Sequence, residues 1–103
     1  MPKEGLHVQQ STVNLEQILE DRGSQYGDFT TQAEIAVFLK SYVRRQEKFE
    51  DMLPHQQEAM DMILHKISRI LNGNPRNVDS WADIAGYARL VADRLQRGGI
   101  DKV

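Results

Sequence analysis

The sequence predicts an all-α domain of four helices, one short and three longer, and three observations carry that prediction. Apolar residues recur at helical spacing from Ala59 to Leu71, and that run ends in Asn72-Gly73-Asn74-Pro75, a strong helix stop. No stretch of useful length alternates apolar and polar residues as a strand does. With 103 residues, 40% apolar and 27% charged, the chain has material for one core and not for two. Residues 12–97 read as that single domain, residues 1–11 as a mobile arm mixing Pro, Gly and polar side chains, and residues 98–103 as a tail.

Composition removes several function classes. Thirteen basic against 15 acidic side chains give a net charge of −2, so there is no broad positive field to capture nucleic acid. The absence of cysteine excludes disulfides and thiolate metal sites. No apolar segment reaches membrane-spanning length and no leader-like region opens the chain, so the expectation is a cytoplasmic protein without a membrane partner.

Taken in order, Leu15, Ile18 and Leu19 predict a short helix from about Asn14 to Arg22, capped by Thr12 or Asn14 and stopped by Gly23. Gly23 to Phe29, two glycines around Tyr26, reads as a structured turn or a loop approaching a ligand. Thr31 with Glu34 has the capping-box pattern and opens a second helix from about Gln32 to Glu50. Its expected core stripe is Ile35, Ala36, Phe38, Leu39, Tyr42, Val43 and Phe49, with Lys40, Arg44, Arg45 and Lys48 outward.

Pro54 suits the first turn of the third helix, whose stripe runs through Met60, Ile63, Leu64, Ile67 and Ile70. Glu58, His65 and Arg69 fall within about 40° of one another on its other side. The fourth helix is expected from Asp79 or Ser80 to about Arg97, with Trp81, Ile84, Ala85, Ala88, Val91, Ala92 and Leu95 toward the core. Its back, with Gly86, Tyr87 and Leu90, is also partly apolar. Two-sided burial there predicts a central helix or an oligomer contact, with Gly86 and Leu90 as interface residues and Gly86 allowing close approach.

The groups that can do chemistry cluster around the loop after the third helix. Helices joined by a short loop tend to pack antiparallel, which would carry His65, Lys66 and Arg69 toward Asp79 and Asp83. Paired carboxylates can hold Mg²⁺, which bridges to substrate phosphates, while Lys and Arg neutralise them. Each group also has a structural reading: Asp79 as an N-cap, Asp83 as an ion-pair partner of Lys66 or Arg69, Trp81 and Tyr87 as packing residues. Glu58 and Asp61, three apart, form a second carboxylate pair. There is no phosphate-binding glycine loop, nucleophile elbow, zinc helix or calcium loop. The two aspartates opening the last helix argue against DNA recognition.

Three spaced elements, Arg-Gly-x-x-Tyr-Gly-x-Phe (residues 22–29), His-Lys-Ile-x-Arg-Ile (65–70) and Asp-x-Trp-x-Asp-Ile-x-Gly-Tyr (79–87), resemble those of a family of small, largely uncharacterised phage and prophage proteins. More distantly, Glu58-x-x-Asp61 followed by Asp79 and Asp83 is similar to the paired acidic motifs of the MazG-type all-α nucleoside triphosphate pyrophosphohydrolases. That resemblance implies Mg²⁺ as cofactor, Glu58, Asp61, Asp79 and Asp83 as its ligands, Lys66 and Arg69 on phosphate, and a dimer or tetramer. The first motif here ends in Asp where the family has Glu, and the second pair is spaced by four rather than three.

The sequence therefore points first to an oligomeric phage accessory protein that binds phosphorylated nucleotides through His65, Lys66 and Arg69, with Mg²⁺-dependent pyrophosphate cleavage as its reaction. A second reading is sequestration of a nucleotide signal without turnover, through Tyr26, Lys66, Arg69 and Tyr87. A third is inhibition of a host enzyme by the surface around Gly86, Tyr87 and Leu90.

Overall fold

The structure, a computed structural model, describes the backbone of residues 2–101 and the side chains of residues 14–97. It is all-α, with helices α1 (Pro2–Tyr26), α2 (Phe29–Arg44), α3 (Pro54–Asn72) and α4 (Val78–Asp101), and a 3₁₀ turn at Glu47–Phe49. The first helix is therefore not the short one expected from Asn14: its 25 residues take in positions 2–11, expected as a mobile arm, and α4 takes in 98–101 of the expected tail, while the side chains of both segments lie outside the described residues.

The third helix has the expected bounds, because Pro54 opens it without a lost hydrogen bond and the Leu53 N–H donates to Gln56 Oε1 at 2.8 Å. The other boundaries differ from expectation for local reasons. Gly23 does not stop α1; the helix continues to Tyr26, and the break falls at Gly27, whose φ of 79° is left-handed. The Asp28 carboxylate, not Thr31, caps α2, accepting from the Thr31 N–H at 3.0 Å, so the helix starts three residues earlier. It also ends at Arg44, short of Glu50. Gln46 is extended there, and Gln57 of α3 donates to the Phe49 and Met52 carbonyls at 3.1 and 3.2 Å, holding the turn that follows. Asn77, rather than Asp79, caps α4 by accepting from the Ser80 N–H at 2.9 Å.

α3 lies in the middle, with α2 packed on one side, α4 on the other and the end of α1 crossing one end. Ala36, Ala59, Leu64 and Ile70 are buried, and so are the polar Gln32, Ser68 and Ser80. Gln32 Nε2 donates to Ser68 Oγ at 2.9 Å, and Ser68 Oγ donates to the His65 carbonyl, which satisfies this polar seam between α2 and α3.

The two ends of the α1–α2 and α3–α4 connections are stapled together. Asn72 Nδ2 donates to the Tyr26 and Asp28 carbonyls at 2.8 and 2.9 Å, and the Asn74 N–H donates to the Gln25 carbonyl at 2.6 Å. Gly73 sits so close to Gln25 and Tyr26 that a Cβ there would overlap their backbone. Its φ of −131° is not the left-handed cap conformation the sequence suggests; close approach is what requires glycine.

Several residues expected inside are outside. Phe38 and Tyr42 on α2, Leu71 on α3, and Trp81, Ala85, Ala88, Ala92 and Leu95 on α4 are exposed. Neither α2 nor α4 packs on α3 through the whole of its expected core stripe, and the two-sided burial expected of α4 is absent among the described residues, where Gly86 and Leu90 are exposed. On α4, Ser80, Ile84, Tyr87 and Val91 supply the better covered side.

Candidate anion-binding site

The end of α1, the start of α2 and one side of α3 enclose a groove of about 510 Å³. Arg22, Tyr26 and Phe29 come from the first glycine-rich element, and His65 and Arg69 from α3. Gln32 forms part of the wall. Two of the three elements singled out in the sequence therefore meet in one place. The Asn72–Gly73 staple holds them there, since it anchors the Tyr26–Asp28 turn to the end of the helix that carries Arg69.

Arg69 is the central group. Its guanidinium carbon lies 4.3 Å from the centre of the Tyr26 ring, a cation–π contact that fixes the side chain. Its Nε is shielded from solvent and has no hydrogen-bond partner among the described residues. A buried guanidinium N–H without an acceptor is costly. Among the described residues neither Arg22 nor Arg69 has a carboxylate within ion-pair distance.

The single acid on the wall is Asp28, whose Oδ2 is engaged by the Thr31 N–H at 3.0 Å and the Thr31 hydroxyl at 3.2 Å. Two guanidiniums thus face one committed carboxylate. His65 is held below its ordinary pKa by burial first, then by Arg69, Lys40 and Lys66. Near neutral pH it is an uncharged imidazole in a positive field. At the rim, Phe29 is 74% exposed and presents an aromatic surface.

The remaining expected site residues do not join this cluster. Lys66 turns to the α4 side, where its Nζ lies 3.0 Å from Asp83 Oδ2, the structural ion pair that was one reading of Asp83. Asp61 is paired with Arg44. Glu58 and Asp79 are exposed. Among the described residues no three His, Asp or Glu side chains come together to hold a metal ion. Glu58, Asp61, Asp79 and Asp83 are therefore not gathered into the Mg²⁺ ligand set implied by the pyrophosphohydrolase resemblance. Tyr87 lines a separate open hollow on α4 with Gly86 and Leu90. Among the described residues Gly86 has no atom near enough to meet an added Cβ, so none of them approaches it closely.

Arg22, Phe29 and Gln32 also line the groove and were not singled out for it in the sequence. Arg22 and Phe29 bracket the glycine-rich element and were detectable there; the Gln32–Ser68 bond joins residues 36 apart and had no local signal.

The fold is that of an all-α domain with a groove lined by two arginines. The chain belongs to a family described as a domain of unknown function, DUF6378, whose model matches residues 12–95 and so spans both motifs that build the cleft. No curated protein and no solved structure matches the chain. Among the described residues no helix is long and apolar enough to cross a membrane.

Proposed function

We propose that this protein binds a phosphorylated nucleotide or nucleotide-derived signal in the α1–α2–α3 groove and holds it without turnover. The observation that carries this reading is the Arg69 guanidinium, clamped on Tyr26, its Nε shielded and unpaired, at the wall of a groove of ligand size. Phosphate oxygens would accept from Arg69 and Arg22, and the base would lie on the Phe29 ring at the rim. The engagement of Asp61 by Arg44 and of Asp83 by Lys66 favours sequestration over pyrophosphate cleavage, because the carboxylates expected to hold Mg²⁺ are occupied and apart. The motif resemblance to small phage proteins supports placing this binding in an infected cell, where retaining a nucleotide signal would alter the host's response.

The test is calorimetric titration of a nucleotide panel, with inorganic phosphate and pyrophosphate for comparison, followed by chromatography of the ligand after incubation with Mg²⁺. Tight binding of a nucleotide recovered intact supports the reading. Consumption of the nucleotide, or no heat with any member of the panel, contradicts it.

A further inference from the structure

The outer face of α2 lies apart from the proposed site and carries exposed apolar side chains. Thr30, Glu34, Val37, Phe38 and Ser41 of α2, with Arg45 at its C-cap, fall within an arc of about 100° and line an open groove of about 590 Å³ on the side away from α3. Val37 is 63% exposed and Phe38 68%. Helices α2, α3 and α4 form one layer, with α2 and α4 resting on α3. A single layer of helices covers only one side of each outer helix, and stable domains close such a layer with a second. Among the described side chains, nothing in this chain supplies that second layer over α2.

We infer that a second copy of the chain supplies it, with the two α2 helices packed antiparallel about a two-fold axis between Leu39 and Lys40. The spacing of the exposed face specifies this register. With the axis there, Val37 meets Tyr42 of the second copy, Phe38 meets Ser41, and Glu34 meets Arg45; each contact occurs twice, as a two-fold interface requires. Glu34 and Arg45 are the two charged residues of the groove wall, one toward each end, so the face is its own electrostatic complement only when the helices run antiparallel. A parallel pairing would set Glu34 against Glu34 and Arg45 against Arg45. The step from Thr30 through Glu34, Val37 and Ser41 to Arg45, in threes and fours, is the spacing by which helices interlock side chains along a shared seam.

Sedimentation of the full chain at micromolar concentration tests this, together with Glu34→Arg and Arg45→Glu, each checked for helix content by circular dichroism. The wild type is expected as a dimer, and each single reversal as a folded monomer or a dimer weakened at least tenfold. Mixing the two variants should restore a heterodimer, because every Arg then faces a Glu. A monomeric wild type overturns the inference. So does a dimer indifferent to both reversals, or a failure of the mixed variants to associate. Phe38→Glu, which disrupts the seam without touching the charges, should also dissociate the dimer.

Discussion

Arg69 and Tyr26 are in contact across 43 residues of sequence, the guanidinium carbon 4.3 Å from the ring centre. That contact joins the glycine-rich turn to the central helix, in a residue that lines the groove and whose Nε is shielded and without an acceptor among the described residues. The ring and the cation therefore belong to one device, and its parts can be removed separately.

Replacing Arg69 with Ala should weaken nucleotide binding by ten- to a hundredfold, the scale of a lost charge-assisted hydrogen bond at about 1.5–3 kcal/mol. Arg69→Lys should not restore it, since an ammonium lacks the planar donor fork. Calorimetry of the three proteins with one nucleotide checks this. Equal affinity for wild type and Arg69→Ala would remove the groove from consideration.

Asp83→Asn should leave nucleotide affinity within about twofold, because Asp83 is committed to Lys66 on the other side of α3. The pair is partly exposed, so its loss should cost less than about 1 kcal/mol of stability. Urea unfolding and the same titration read both quantities. A large loss of affinity would return the site to the α3–α4 side.

His65 sets a pH dependence. Its pKa in the folded chain lies below the ordinary value of about 6.5, so the unfolded chain takes up the proton first as pH falls. The stability tied to the neutral imidazole is fully present above about pH 6.5 and is lost as pH falls from there toward the folded-state pKa. A bound phosphate reverses the local field and should raise the His65 pKa. Proton NMR titration of the imidazole, with and without nucleotide, should show the upward shift. An unchanged midpoint would place the anion elsewhere.

The three glycines should respond differently to alanine. Gly73→Ala forces a Cβ into the Gln25–Tyr26 backbone and should destabilise by about 1–3 kcal/mol. Gly27→Ala should cost at least about 1 kcal/mol, since φ is 79° and Asn72 occupies the space. Gly86→Ala, in open surroundings within a helix, should stabilise by about 0.5–1 kcal/mol. Thermal unfolding of the three variants orders them. A destabilised Gly86→Ala would signal a close neighbour from another chain.

Sequence patterning revealed the four helices and the bounds of α3, because Pro54, the apolar stripe and Asn72-Gly73 all agree. It placed the stop of α1 at Gly23, since glycine interrupts a helix only weakly and nothing local shows that the left-handed turn waits until Gly27. Phe38 and Trp81 show a second limit. Periodicity identifies an apolar face but not whether this chain provides a neighbour for it, and both residues are exposed. For the site, Tyr26, His65 and Arg69 were each visible as chemically capable groups. Their convergence depends on Asn72 bonding to the Tyr26 and Asp28 carbonyls, 46 and 44 residues away, which no spacing rule encodes.

The most direct measurement is the two-dimensional amide NMR spectrum of the full chain titrated with a nucleotide that gives calorimetric heat. Binding in the groove predicts saturable shifts concentrated at Tyr26, Gly27, Gln32, His65 and Arg69, with Asp79 and Asp83 unmoved. Shifts confined to the start of α4 around Asp79 and Asp83, with the groove silent, would contradict it.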